Sequence, residues 1–343
     1  MLKSDRQFGI EIEFLCNSID TLEYLNDRDI YCVSDGSLRP HTGGEYVSPP
    51  MSGRSGEREI ARVCSELKSN GVDVEHPATS LHLHLDGKRR ERTVTTDNKK
   101  IDGEGLQIAV SRSLLRDRSL SQIANSLMSH RSSDLICNVA EFDGIEYYSR
   151  AKLSRKPRMN YTFFLLKEND RTKWLTNMFY FYTLYSPVLS SMVSHSRSIG
   201  NMYCQQLSDS FTLKEIESIK TEQDFTDIWY KGRGSGGRYC DSRYHNVNFH
   251  SFFDRHGTVE IRSHGATTDV NKIMLWVRLH QYIADKLEDY KLEDLKIDTD
   301  NADNVYLEFV KFFEDDPLLV EYIKRLLGYF SGISIIKNKV KRK

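Results

Sequence analysis

Residues 8–15 read FGIEIEFL. Phe8, Ile10, Ile12 and Phe14 fall on one side of a period-two alternation, and Gly9, Glu11, Glu13 and Leu15 on the other, which predicts a strand. Such a strand holds Glu11 and Glu13 on one face, roughly 7 Å apart. Two solvated glutamates on a half-exposed strand would give the same pattern, so their meaning depends on what else alternates. Residues 80–86, SLHLHLD, set Leu81, Leu83 and Leu85 against His82 and His84. A solvated strand face more often carries Thr, Lys or Glu. Two imidazoles there are either ligands or core histidines satisfied by neighbours. Residues 244–250, YHNVNFH, and 258–262, TVEIR, also alternate and flank the turn DRHG, which predicts a hairpin. Its second strand sets Val259 and Ile261 against Thr258, Glu260 and Arg262. A short strand from Glu45 to Ser48 follows turn chemistry at Asp35-Gly36 and Gly43-Gly44.

Between these strands lie helical patterns. Residues 56–69 carry an apolar stripe of Ile60, Val63, Cys64 and Leu67, and Asn70-Gly71 supplies the stop. Residues 172–195 form one long aromatic helix, kinked at Pro187. Residues 271–290 are amphipathic, 291–302 form an acidic connector, and two closing helices occupy about 303–314 and 317–330. The tail at 337–343 is basic and reads as frayed. Residues 88–171 combine a helical stretch at about 105–129 with strand-like runs near 135–149 and 159–166. Their basic residues, among them Arg155, Lys156 and Arg158, form either a basic lobe or a solvated face. The expected organisation is a domain over 1–290 interrupted by an insertion at about 88–171, with 291–343 packed on its core.

With 343 residues the chain can bury a sizeable core. Its 48 Lys and Arg nearly balance 49 Asp and Glu. That disfavours a nucleic-acid-coating protein and an acidic disordered tail protein. The six cysteines are widely spaced with no CxxC pair, so they read as reduced core thiols. No apolar run suits a signal peptide or a membrane span, and a cytoplasmic protein is expected.

Four strand-like segments thus offer polar side chains opposite an apolar face: Glu11 with Glu13, Glu45, His82 with His84, and Glu260 with Arg262. Carboxylates and an imidazole suit Mg²⁺ or Mn²⁺. So many carboxylates stay ionised together only if cations share the cluster. Arg238, Arg243 and Arg262 supply planar donors for phosphate. The first two of these lie in a glycine-rich loop, KGRGSGGRYCDSR at 231–243, which lacks the Walker arrangement and reads equally as a plain surface loop. Metals with arginines, and no catalytic thiol or Ser-His-Asp cue, suggest phosphoryl transfer from a nucleotide.

The ordered set FGIEIEF, DGSLRPHTGGEYVSP, SLHLHLD and RYHNVNFHSFFDRHGTVEIRSHGATTD resembles the amidoligase family, which is similar to the glutamine synthetase and glutamate–cysteine ligase superfamily. SRSIGNMYC at 196–204 resembles that family's segment after its long helix. The resemblance covers roughly residues 6–86 and 172–290. It implies an α+β fold in which a curved antiparallel sheet holds metals on its concave face, with helices outside. It also implies ATP, two or more Mg²⁺ or Mn²⁺ ions, and an amide formed from a carboxylate and an amine through an acyl phosphate.

By the same resemblance Glu11, Glu13, Glu45, His82 and Glu260 are metal ligands, with His84 beside them. Arg262 contacts the transferred phosphoryl group, and Arg243 and Asn248 border the nucleotide and substrate. Glu45 completes the metal site near the acceptor. The chain departs from the family in having Ser80-Leu81 where a glycine is usual, and in the long segment 88–171. That segment is expected to cap the pocket, recognise a large acceptor or build a homo-oligomer contact. Substrates are expected to be small-molecule or peptide carboxylates and amines, with a modified nucleotide still open and no membrane partner. The alternatives are a guanidino or amine kinase of the same fold and a metal-dependent hydrolase.

Overall fold

The computed structural model describes residues 4, 6–18, 20–35, 38, 42–87, 106–108, 134–142, 145–152, 159–164, 168–198, 200–231, 240–254, 257–336 and 339–342. The chain divides into two compact units, one formed by Met1–Lys88 with Lys173–Lys343, the other by Arg89–Thr172. Twelve strands occur among the described residues: β1 (Phe8–Leu15), β2 (Cys32–Ser34), β3 (Gly43–Val47), β4 (Ser80–Asp86), β5 (Leu106–Ile108), β6 (Asp134–Phe142), β7 (Ile145–Lys152), β8 (Met159–Phe164), β9 (Val247–Asn248), β10 (Thr258–Gly265), β11 (Ile333–Ile336) and β12 (Lys339–Arg342). Helices and sheet together make the first unit α+β.

In the first unit six strands run in the order β2-β3-β1-β4-β10-β9, every neighbouring pair antiparallel. One face of this sheet is sealed. Ile10, Ile12, Phe14, Leu81, Leu83, Leu85, Val259 and Ile261 are all buried. The helix Val270–Asp289 packs on β4 and on the helix Gly53–Ser69. The latter contributes the apolar stripe Ile60, Val63, Cys64 and Leu67. The aromatic helix Glu168–Leu184 is tied to Val270–Asp289 by Trp174 Nε1, which donates to the Ala284 carbonyl at 2.8 Å, and by Asn177 Nδ2, which donates to Leu287 at 3.0 Å. Burial of this face leaves the alternate residues of the same strands to form the other. The second unit contains a four-stranded sheet in the order β5-β8-β7-β6, with β5 and β8 parallel and the other pairs antiparallel.

Several sequence expectations change. The long helix divides into Glu168–Leu184 and Ser186–Ser190, with Pro187 in the first turn of the second. Pro187 has no N–H for the helical ladder, so the regular helix ends before it. The expected hairpin at 244–262 is shorter: only Val247–Asn248 pairs with β10, and a helix, His250–Asp254, follows. The Asn248 side chain accepts the His250 N–H at 2.8 Å, and this local bond diverts the chain from the ladder. The basic tail is not frayed through Arg342: β12 pairs antiparallel with β11, which Gly332 launches from its left-handed helix cap. Ile333 and Ile335 are buried beneath it. Leu106–Ile108 is strand where a helix is expected, and 109–129 lie outside the described residues. Arg155, Lys156 and Arg158 also lie outside them. Cys16, Cys32, Cys64, Cys204 and Cys240 are all free thiols.

Candidate active site

Register converts the alternation into a row of polar groups. Glu45 of β3 lies opposite Glu13 of β1; Glu11 of β1 lies opposite His82 of β4; His84 of β4 lies opposite Glu260 of β10; Glu260 lies opposite Asn248 of β9. Five strands therefore contribute to one line of side chains running across the sheet. Beyond Ile261 the β10–β4 register slips, three positions on β10 spanning two on β4. Arg262 sits in this bulge, a device that re-aims side chains beside sites. Its N–H donates to the Asn246 carbonyl at 2.9 Å.

The row is closely bonded. His82 Nδ1 lies 2.9 Å from Glu11 Oε2, and His82 Nε2 lies 2.9 Å from Ser80 Oγ. His84 Nε2 is 3.3 Å from Glu11 Oε1, and its Nδ1 is 3.1 Å from Thr258 Oγ1. The Ser80 N–H donates to Glu13 Oε2 at 2.7 Å. Glu260 accepts from Asn248 Nδ2 at 2.6 Å and from Arg262 Nη1 at 2.5 Å. Glu13, His82, Asn248 and Glu260 are buried, while Glu11, Glu45 and His84 are half-buried.

Three groups bring possible ligand atoms within 4.8 Å of one another: Glu11, Glu45 and His82; Glu11, His84 and Glu260; and Glu13, Asp35 and Glu45. The donor set is mainly hard oxygen with borderline nitrogen, which fits Mg²⁺ or Mn²⁺. Electrostatics points the same way. Burial, followed by Glu11, Asp35, Glu13 and Glu260, pushes Glu45 up to about 8. Burial opposes charge on Glu11 too, but His84 and His82 outweigh it and hold this carboxyl well below its ordinary value. Burial disfavours the cationic form of His84, yet Glu11 and Glu260 raise it to about 9. Glu260 is burdened by burial and held down by Arg262, His84 and His82. A pocket that places a proton on one glutamate and on one histidine is short of positive charge, which divalent cations would supply.

Of the sequence candidates, Glu11, Glu13, Glu45, His82, His84, Asn248, Glu260 and Arg262 come together. Arg243 stands on the 3₁₀ turn Asp241–Tyr244, its guanidinium 4.7 Å over the Tyr244 ring and its Nη2 donating to that residue's hydroxyl at 2.6 Å. Arg238 lies outside the described residues. His84 enters a candidate ligand group as fully as His82 does. Asp35 was not foreseen as a site residue, because Asp-Gly reads first as a turn. Ser80 bonds both Glu13 and His82, the first through its N–H and the second through its hydroxyl.

One face of the antiparallel sheet thus carries a carboxylate–histidine row beside a half-buried arginine, Arg262. The family model described as "Putative amidoligase enzyme" matches residues 168–284 of the chain, so this segment is similar to that family. That segment holds the helices from Glu168 to Asp254, β9, β10 and most of the helix Val270–Asp289, and therefore Asn248, Glu260 and Arg262. No curated protein and no solved structure matches the chain.

Proposed function

We propose that the protein is an ATP-dependent carboxylate–amine ligase, with its six-stranded sheet of the glutamine synthetase-like kind. The observation that carries this reading is the single row of Glu45, Glu13, Glu11, His82, His84 and Glu260, beside Arg262, in a chain whose later segment matches an amidoligase. Glu11, Glu13, Glu45, His82 and Glu260 would hold two or more Mg²⁺ or Mn²⁺ ions, with Asp35 and His84 able to join them. Such ions supply charge neutralisation to a transferring phosphoryl group.

In the proposed reaction an oxygen of the substrate carboxylate takes the γ-phosphoryl group of ATP, releasing ADP and forming an acyl phosphate. The amine nitrogen then attacks the acyl carbon. Inorganic phosphate leaves, and the nitrogen loses a proton to give the amide. Arg262, anchored to Glu260, presents planar donors to the charge that develops on the phosphoryl oxygens. Asn248 fixes the other oxygen of Glu260. Ser80 and Glu11 fix the ring plane of His82. Arg243 and Asn248 border the nucleotide, and cytoplasmic ATP is the expected donor.

Hydroxylamine tests this directly, since it traps an acyl phosphate as a hydroxamate. Incubation with ATP, Mg²⁺, hydroxylamine and a panel of carboxylates is expected to yield hydroxamate and ADP together, and Glu11→Gln to yield neither. A stable phosphorylated product without hydroxamate would make it a kinase. Substrate cleavage that needs no nucleotide would make it a hydrolase.

A further inference from the structure

Three arginines are buried among the described residues, Arg6, Arg197 and Arg278. Arg6 pairs with Asp285 at 2.9 Å and with Glu288, and Arg278 pairs with Asp316 at 2.5 Å. Arg197 differs. No carboxylate of the described residues lies within ion-pair distance of its guanidinium, and its Nε is buried without a hydrogen-bond partner among them. An arginine cannot relieve this by shedding its proton. Breaking the pairing of a buried charge is strongly unfavourable, so a fold that retains one unpaired holds it for a reason outside its own stability.

The surroundings supply that reason. Arg197 belongs to the short helix His195–Ser198, which packs against β10. Its backbone is fixed by its N–H donating to the Ser194 carbonyl at 2.9 Å, and by its carbonyl accepting from Cys204 Sγ at 3.4 Å. Besides the Cys204 thiol, which is bonded to the Arg197 carbonyl, the groups whose charge acts on the side chain are Glu13 and Arg262, both members of the site. Neither satisfies it. Glu13 is engaged with the Ser80 N–H, and Arg262 carries charge of the same sign and is committed to Glu260.

We propose that Arg197 is an oxyanion-binding residue of the site, taking one edge of a phosphoryl or carboxylate group held between its guanidinium and Arg262. The planar fork of N–H donors matches two oxygens of either group. The identity of the oxyanion as a ligase substrate rests on the function proposed above; its binding at Arg197 does not.

Calorimetric titration of inorganic phosphate, acetate and the Mg²⁺ complex of a non-hydrolysable ATP analogue into wild type, Arg197→Gln and Arg197→Lys tests this. Arg197→Gln is expected to weaken phosphate binding by about tenfold or more, with Arg197→Lys between it and wild type because it keeps charge but loses the fork. Mn²⁺ affinity should stay within about twofold in both variants. Whether the analogue or acetate follows phosphate shows whether the group comes from nucleotide or from carboxylate substrate. In wild type, the Arg197 Nε–H resonance should shift on phosphate addition, a readout that needs no variant to fold. Phosphate affinity unchanged in Arg197→Gln, no shift of that resonance, or an equal loss of phosphate and Mn²⁺ binding would each overturn the proposal. Absence of hydroxamate would count against the ligase reading alone, since phosphate binding does not depend on turnover.

Discussion

Glu45 shows how closely the acidic residues are packed, because burial and its carboxylate neighbours together leave it holding a proton near neutral pH. A change at Glu13 and a change at Arg262 should therefore separate two functions. Glu13→Gln removes a possible ligand and is expected to weaken Mn²⁺ binding by about tenfold or more, roughly 1.4 kcal/mol. Arg262→Lys preserves the charge beside Glu260 but not the planar fork, so Mn²⁺ affinity should hold while turnover falls on the order of 10²-fold. Titration of Mn²⁺ into both variants checks this, and equal loss of metal affinity would end the division of roles. At this scale the sequence was readable wherever alternation put a polar residue opposite an apolar one, as at Glu11, His82 and Glu260. It was unreadable where a residue's role depends on distant partners. Asp35 carries turn chemistry, and nothing local distinguishes Arg197 from paired Arg278.

Among the elements, β3 is closely packed at Gly44. A methyl group at Gly44 would meet the Val33 carbonyl oxygen at 2.7 Å and Leu22 Cδ2 at 2.6 Å, so β2 and the helix Asp20–Asn26 both press on this strand. Gly44→Ala is expected to destabilise the protein by about 1–3 kcal/mol, because the backbone oxygen cannot swing aside as a side chain can. Urea unfolding of the variant measures this, and a change below about 0.5 kcal/mol would show that β3 yields easily. Glu45 is the next residue, so weakened Mn²⁺ binding should accompany the loss. The strands β1 and β4 and the helix Val270–Asp289 follow their hydrophobic periods closely. The short strand β9 does not, because the Asn248 side chain captures the His250 N–H and period alone cannot reveal that bond. Pairing of the basic tail was likewise hidden, since β12 gains its partner from β11 rather than from its own composition.

For the molecule as a whole, cations and protons should act in opposite directions on stability. If the carboxylate row binds Mn²⁺ only when folded, free Mn²⁺ at about 100 times its dissociation constant should add about 2.7 kcal/mol. A urea midpoint indifferent to Mn²⁺ would show that no such site forms. Acid should weaken the fold before most carboxylates titrate. Burial pushes His280 down to about 3, with Tyr182 Oη 2.6 Å from its Nδ1. The unfolded chain takes up this proton near its ordinary value of about 6.5 while the folded chain does not. The contribution of His280 is thus whole above that value and falls away toward pH 3, by up to about 1.4 kcal/mol per pH unit. Urea midpoints taken from about pH 7 to pH 5 should decline, and more shallowly in His280→Asn. Equal slopes would assign the decline to other groups.

The order β2-β3-β1-β4-β10-β9 also governs when the site comes into being. Glu11, Glu13, Glu45, His82 and His84 have all left the ribosome while β10, which carries Glu260 and Arg262, is still unmade. Until then the edge of β4 presents unpaired backbone donors and acceptors, and Leu81, Leu83 and Leu85 lack part of their cover. Closing so long a loop makes the β4–β10 pairing a late and slow event. Aggregation of the nascent chain should compete at that stage, through an open strand edge. Divalent metal capture would then mark the moment at which β1, β3 and β4 meet β10.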